Sequence, residues 1–286
     1  MDDQIRLALP KGRMYEGVMR LLEEGGVHVR ASQRDYRPQI SLDGWGVKVL
    51  KPRAVVEMLA AGRRDIGFCG ADWACECDAD LVEVLDTGLD PVRLVVAAPS
   101  GLARGGSLEN DRILLASEYE RIARRWIAEH APRASFIRSY GATEVLPPED
   151  CDAILDNTQS GATLRANGLL IIDEVMASST RLYASRAAMD DARRRDRIES
   201  LVMVLRAVLE ARRRVMLELN APADRLEAII AILPCMREAT VAPLHQGRGY
   251  GVKAAVPRRD LATLIPRLKR AGGSDIVVVK PEQIVV

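Results

Sequence analysis

The strongest constraint in this sequence is an alternation. From residue 5 to residue 185, short apolar or β-branched runs take turns with segments whose apolar residues recur at helical spacing. "IRLALP" reads as a strand, broken by Pro10 and Gly12. "MYEGVMRLLEEGG" then sets Met14, Val18, Leu21 and Leu22 on one helical face and closes on Gly25 and Gly26. "VHVRAS" and "WGVKVLKP" read as strands, "RAVVEMLAAGR" as a helix and "DIGFCG" as a buried strand. "LVEVLDTG" and "PVRLVVAAP" follow as two strands, then a polar, glycine-rich loop over residues 100–111. "RILLASEY", "SFIRSYG", "CDAILD" and "LLIIDEVMASSTRLYAS" supply further strands, and "ERIARRWIAEHA" a helix. Alternation of this kind predicts an α/β fold, a mostly parallel sheet with helices on its faces. Its length suits two small lobes with a cleft between them.

The pattern changes after residue 185. "DDARRRDRIESLVMVLRAVLEARRR" repeats Ile198, Leu201, Val202, Leu205, Val208 and Leu209 at helical spacing on a charged background. The arginine runs at 193–195 and 212–214 read as solvated helix ends rather than a phosphate patch. From residue 215 the order is strand, helix, strand, strand, helix, strand, the ferredoxin-like βαββαβ arrangement. The expected division is therefore a first lobe from residues 1–92 and 180–213, a second lobe from 93–179, and a separate domain over 214–286.

Composition narrows the function classes. The 286 residues are 48% hydrophobic and 28% charged, with a formal net charge of +1, so no global charge points to nucleic acid or membrane. No apolar run approaches the roughly 18 residues of a membrane span. The acidic start "MDDQIRLALPKGR" is unlike a signal peptide, and five sparse cysteines fit a reduced compartment, so a cytoplasmic location is expected. Cys69, Cys75 and Cys77 lack a paired CxxC spacing and a nearby histidine, which argues against zinc.

One stretch breaks two buried-looking runs with small and polar residues: "DAILDNTQSGATLRANGLLIID", residues 152–173. A strand ending at Asp156 runs into the loop "NTQSGAT" and then a short helical piece stopped by Gly168. Amides at a helix start lack intrahelical partners and face anions. Gly161 lets the backbone approach a phosphate, Ala162 adds no bulk, and Thr158, Ser160 and Thr163 offer hydroxyls. The helix dipole would add roughly 1–2 kcal/mol. Asp156 is placed to accept from sugar hydroxyls. The competing reading is a capped turn, with Ser160 or Thr163 as N-cap.

This stretch resembles the phosphoribosyl-diphosphate (PRPP) loop of the ATP phosphoribosyltransferase family, the first enzyme of histidine biosynthesis. "SYGATEV", with Glu144 at the family's acidic position, "LALPKGRM" and "RRDIGFCGADW" resemble its other motifs in the expected order. Asn157 and Gln159 stand where many relatives carry a hydrophobic or acidic residue. The resemblance implies a two-lobed, periplasmic-binding-protein-like catalytic body with a C-terminal ferredoxin-like regulatory domain. It implies transfer of the PRPP ribose to N1 of ATP with release of pyrophosphate, use of Mg2+, feedback inhibition by histidine, and a homodimer that assembles into a hexamer. The metal ligands are not assigned. Two polyanions in one cleft need cations: Lys11, Gly12 and Arg13 follow a strand and open a helix, and Arg53 opens the next one. For Lys11 and Arg13 the alternative is a solvated helix start. Asp65, Gly67, Gly70 and Asp72 read as a strand-end loop lining the cleft, with a structural turn as the alternative for Asp65. Glu144 either contacts a ribose or shapes its loop. In the C-terminal domain Asn220, Thr240, Gly273 and Asp275 are the expected contacts for histidine, the other reading being ordinary turns in an assembly module. A two-lobed solute-binding protein and a degenerate regulatory subunit remain as functional alternatives; the acidic start and the intact "SGATL" loop argue against them.

Overall fold

Ile5–Pro10 (β1) has only one residue that is not fully buried, because it is a central strand with parallel neighbours on both sides. Those neighbours are Trp45–Leu50 (β2) and Ile66–Gly70 (β3). Helices Met14–Glu24 (α1) and Pro52–Ala60 (α2) connect them. The computed structural model describes residues 4–30, 36–104, 107–108 and 112–285, so much of the expected loop over 100–111 lies outside the described residues.

After helix Ala71–Cys77 (α3) comes Leu81–Pro99 (β4), a single strand of 19 residues where the sequence suggests two. Gly88 and Asp90 take positive φ (63° and 47°) and bend the strand without ending it. Pro91, which has no N–H for the ladder, is tolerated beside that irregularity. Leu114–Ser117 (β5), helix Glu120–His130 (α4), Ser135–Arg138 (β6) and Ala153–Thr158 (β7) follow. Helix Ala162–Ala166 (α5) leads to Leu169–Ser185 (β8), 17 residues antiparallel to β4 along its length, with register shifts at several points including Ser178/Thr180.

The sheet order is β6-β5-β7-β4-β8-β3-β1-β2. Parallel pairing holds within each flank (β1 with β2 and β3; β5 with β6 and β7), while β4 and β8 run antiparallel through the middle. The two flanks are two α/β lobes sharing β4 and β8. The expected mostly parallel sheet is thus a mixed one: two long strands that cross both lobes meet their neighbours head to tail. One core cluster gathers Leu94, Leu115, Tyr119, Ile122 and Trp126 under α4; another sets Ala8, Val55, Leu59 and Cys69 under α2.

Helix Arg186–Asp190 (α6) is followed by Ala192–Arg213 (α7), whose expected apolar face is buried from Ile198 to Leu209. Contacts divide the chain into a first unit, residues 1–23 and 27–199, and a second, residues 24–26 and 200–286. The second half of α7 belongs to the second unit, where the Ile284 amide donates to the Ala207 carbonyl at 3.0 Å.

The second unit contains Arg214–Ala221 (β9), Leu226–Ile230 (α8), Thr240–Pro243 (β10), Tyr250–Pro257 (β11), Leu261–Arg270 (α9) and Ser274–Val279 (β12). Its antiparallel sheet has the order β10-β11-β9-β12, the ferredoxin-like arrangement. Strict alternation along β9 buries Val215, Leu217, Leu219 and Ala221 against Ile229, Leu264 and Leu268 of the two helices. Helix α8 is shorter than the sequence suggests, because Pro234 disfavours helical backbone at Leu233 and the chain leaves in turns after Ile230.

Candidate active site

The parallel strands of the first lobe all deliver their C-terminal ends to one edge, where α/β sheets bind ligands. Pro10 of β1 leads into Lys11, Gly12 and Arg13; Gly70 of β3 leads into Asp72 and Trp73. Gly12 takes φ +91°, which turns the chain from strand to helix, and the Lys11 amide is fixed by the Leu50 carbonyl at 2.7 Å. A cavity of 230 Å3 opens at this edge. Lys11, Arg13, Gly70 and Asp72 line it, and Tyr119 and Asn157 face them from the second lobe. Asp90 and Ser178–Thr180, where β4 and β8 cross between lobes, close it. The exposed ammonium of Lys11 lies 3.1 Å from the Tyr36 hydroxyl.

A buried polar network stands behind the cavity. The Tyr119 hydroxyl donates to Asp72 Oδ2 at 2.7 Å and accepts from Asn157 Nδ2 at 3.1 Å. Ser178 Oγ donates to Asp72 Oδ1 at 2.8 Å, and the Tyr119 ring packs on Trp73 with centroids 4.5 Å apart. Burial and the Asp72 charge push the Tyr119 phenol far above its ordinary value, so it stays a neutral donor. Gly70 is required here, because a Cβ would collide with the Asp72 carboxylate that folds back over it.

Asp156, near the end of β7, is partly buried, and its Oδ1 accepts the Asn157 amide at 2.7 Å. Burial, then the charges of Glu144, Glu118 and Asp72, raise its carboxyl to about 7, despite that amide bond. A carboxyl raised by burial and by neighbouring acids is one whose ionised form a nearby cation or hydroxyl donor would favour. In the following loop, Thr158 Oγ1 accepts the Gly161 amide at 2.9 Å and Ser160 Oγ accepts the Ala162 amide at 3.3 Å. Both hydroxyls use a lone pair within the loop and keep their hydrogens to donate. Gly161 has φ +74°, which selects glycine. Helix α5 has only five residues, so the dipole contribution expected from the sequence is small and the loop's own donors carry any anion binding. Ala162 and Thr163 form its first turn.

Several expected residues stand apart. Asp65 precedes β3 at the end away from the cavity, 1% exposed, with its carboxylate held by Arg6 (2.8 Å) and Arg194 (2.7 Å). Burial alone would raise it, yet the Arg6 side-chain and backbone bonds and the Arg194 charge keep it below the usual range. It is a buried structural ion pair, not a cleft residue. Gly67 meets Val55 and Ala8 and serves close packing. Arg53 bonds Glu57 one helical turn on at 2.9 Å, yet its guanidinium also lies 6.0 Å from the ring of cavity-lining Trp73, so it borders the cavity without lining it. Glu144 sits in the short turn Thr143–Val145, close enough to raise Asp156. In the second unit, Asn220 Nδ2 donates to Asp275 Oδ2 at 2.9 Å, so these two do converge. Thr240 starts the edge strand β10, paired with Lys253 and two strands from β9. Gly273 is buried, its amide taken by the Leu268 carbonyl at 2.9 Å; with Gly272 it caps α9 and offers no donor to a ligand.

The sequence reading missed Tyr119, Trp73, Asp90, Glu118 and the Ser178–Thr180 triplet. A signal existed for the last: three consecutive hydroxyl residues stand midway along a long strand.

The family model for ATP phosphoribosyltransferase matches residues 51–207, and that for the HisG C-terminal domain matches residues 211–282. A curated ATP phosphoribosyltransferase of Chlorobium phaeobacteroides is 34% identical over 281 residues, 96% of each chain. This chain belongs to the ATP phosphoribosyltransferase family. A second member, from Pelotomaculum thermopropionicum, is 35% identical over the same share of both chains. Among solved structures, a chain of the ATP phosphoribosyl transferase (HisG:HisZ) complex from Thermotoga maritima is 27% identical with a TM-score of 0.63. That match takes in 99% of the Thermotoga chain and 72% of this one. The paired family models make this the long form, with the C-terminal domain on the same chain as the transferase body.

Proposed function

We infer that this chain is an ATP phosphoribosyltransferase of histidine biosynthesis, and that its substrates meet in the cavity between the two lobes. In this reaction the N1 lone pair of the adenine ring forms a bond to C1 of the PRPP ribose. The C1–O bond to the diphosphate breaks and its electron pair leaves with pyrophosphate. The positive charge left on the adenine is discharged by loss of a proton from the 6-amino group. No protein nucleophile is required, so catalysis rests on positioning and on balancing charge.

The observation that carries the assignment is that cations and the strand end before the small-residue loop meet at one cavity. Lys11 and Arg13 line it from the first lobe, and Asn157, next in the chain to Asp156, lines it from the second. In our reading the Asp156 carboxylate accepts the ribose hydroxyls, the Thr158–Thr163 loop holds the 5-phosphate, and Lys11, Arg13 and the Gly12 amide hold the polyphosphate chain. Asp72 and Asp90 face the same space but are already bonded to Tyr119, Ser178 and Thr180.

The family uses a divalent metal, and we propose Mg2+. Among the described residues no group of three or more His, Cys, Asp or Glu is placed to hold a metal. That donor set fits a magnesium that arrives on the diphosphate and takes one or two carboxylates, Asp156 first among them, rather than a protein cage. When bound it neutralises charge on the leaving diphosphate.

We further propose that the second unit binds histidine near Asn220 and Asp275 and lowers activity without competing with PRPP, that the chain works as a homodimer able to form hexamers, and that it is cytoplasmic. No helix among the described residues is long and apolar enough to cross a membrane. The decisive assay supplies the purified chain with ATP, Mg2+ and PRPP and follows pyrophosphate. Release that needs both substrates supports the reading; a folded protein that binds PRPP and releases none would return it to the class of binding or regulatory proteins.

A further inference from the structure

The sequence reading dismissed the arginine run at 212–214 as a solvated helix end, and the transferase reaction does not use it. The second unit gives it a different setting. Arg212 and Arg213 end α7 and Arg214 opens β9, while Arg258 and Arg259 follow β11. Antiparallel pairing sets Arg214 opposite Pro257, which brings the two arginine runs, some 44 residues apart in the chain, to the same end of the sheet. Between them lies a groove of 770 Å3.

The charges there are only partly balanced. Arg214 is paired with Glu210, and Arg212 with Glu24 at 2.8 Å. Arg259 reaches Asp260 at 3.6 Å while 88% exposed, a loose contact. Arg213 and Arg258 have no carboxylate partner among the described residues. Arg212 also keeps one terminal guanidinium nitrogen, Nη2, buried without any acceptor, although its other side is held by Glu24. Arg213 and Arg258, unpaired beside Arg212 and Arg214, leave an excess of guanidinium donors lining the groove, and such an excess calls for an anion with several acceptor oxygens. Each arginine fork takes a pair of oxygens, and a chain of linked phosphates offers several such pairs to neighbouring forks at once.

We propose that this groove is a second anion site, which takes a condensed phosphate: a di- or triphosphate chain. Only Pro257 among the lining residues is apolar, and no aromatic ring is present to read a base or a sugar. Recognition therefore rests on the phosphate chain itself, whether it comes as an inorganic anion or as the tail of a nucleotide. The 770 Å3 of the groove leaves room for a chain of linked phosphates. Occupancy would join the end of α7 and the start of β9 to the β11–α9 connection, the joints that set the sheet of the second unit.

The test is calorimetric titration of the full-length chain with inorganic tripolyphosphate, without magnesium, at low and at physiological salt. Wild type should show two classes of site. The double variant Arg213→Ser/Arg258→Ser should lose one class, at least tenfold in affinity, and keep pyrophosphate-releasing activity. The double variant Lys11→Ala/Arg13→Ala should lose the other class and keep the first. Arg213→Lys/Arg258→Lys, which retains charge but not the fork, should bind with intermediate affinity, while the retained activity of the serine variant shows that its loss of binding is not misfolding. Adenosine triphosphate with affinity equal to tripolyphosphate at this groove supports a site that reads the phosphate chain alone. A single class of site, abolished by the Lys11/Arg13 variant and untouched by the Arg213/Arg258 variant, overturns the proposal. So does a short single-stranded DNA that binds through Arg213 and Arg258 more tightly than tripolyphosphate does.

Discussion

Asp156 makes a prediction that can be worked through with numbers. In the unfolded chain an aspartate ionises near 3.8; in the fold Asp156 holds its proton until about 7. Between those values the folded protein carries a proton that the unfolded chain has already released. Stability therefore falls as pH rises through this window, by about 1.4 kcal/mol per unit, and the loss is complete above the folded value. The full interval is worth up to about 4 kcal/mol. Asp156→Asn keeps the shape of the side chain and cannot ionise, so it escapes the loss. Its stability should match wild type near pH 4 and exceed it by a margin that grows to roughly 2–4 kcal/mol at pH 8. For a body of this size that margin is a rise in Tm of about 5–15 °C.

The measurement is thermal unfolding of ligand-free wild type and Asp156→Asn across pH 4–8. Substrate reverses the relation. Ribose hydroxyls and a cation favour the ionised carboxylate, so PRPP should bind wild type better as pH rises through 7, and should bind the asparagine variant weakly at every pH. A difference in Tm that is the same at pH 4 and pH 8 would refute the reasoning, since it would mean that Asp156 ionises alike in both states.

Four other outcomes follow from the geometry. Lys11→Ala should remain folded and lose at least tenfold in kcat/KM, because a charge-assisted bond to phosphate is worth about 1.5–3 kcal/mol; wild-type kinetics would place Lys11 on the solvated surface. Tyr119→Phe removes the donor to buried Asp72 and should lower the unfolding free energy by about 1–3 kcal/mol, read by urea titration; an unchanged midpoint would mean that Ser178 satisfies Asp72 alone. Asp65→Ala leaves Arg6 and Arg194 facing each other without their shared carboxylate and should cost about 3–5 kcal/mol with little change in KM for either substrate; a selective rise in KM would return Asp65 to the cleft. Asp275→Ala should weaken histidine binding in calorimetry at least fivefold with catalysis intact, and unaltered inhibition would move the histidine site away from the Asn220–Asp275 pair.

What could be read in advance was whatever repeats along the chain. Strand and helix periods gave the α/β body and the βαββαβ domain because each element carries its own buried face. The continuity of β4 was hidden, since Gly88, Asp90 and Pro91 look like a turn and only the long partner β8 keeps the strand going through them. Helix α3 was hidden too: "ADWACEC" is short, and two of its three buried positions are polar, Asp72 and Glu76, whose partners lie elsewhere in the chain. Asp65 was misplaced for the same reason. Beside Ile66 it reads as loop, but its meaning comes from Arg6, 59 residues earlier. The glycines at 272–273 were visible as a turn, and the error lay in leaving their amides free when a helix C-terminus takes them.

Helix α3 also explains how the cavity keeps its opposed charges in place. The buried Glu76 carboxylate accepts the Arg121 and Ile122 amides at the start of α4, both at 3.1 Å, acting as an N-cap supplied from the other lobe. Asp78 pairs with Arg121, and Asp72 takes the Tyr119 hydroxyl from the residue just before α4. Two buried acids of α3, with the exposed Asp78 just past its end, thus hold the second lobe by the entrance of a single helix. Negative charge at an N-terminus is favoured by the helix dipole, so the contact is attractive even though acids cluster on both sides of the cleft. Because Asn157 bonds the same Tyr119 hydroxyl and adjoins Asp156, the tie extends to the Asp156 carboxyl, the group proposed to meet the ribose. The lobe that brings Lys11 and Arg13 therefore also fixes, through α3, the strand end that brings Asp156. Two β-strands that merely cross between lobes would leave that distance free to vary; the buried acids of α3 set it.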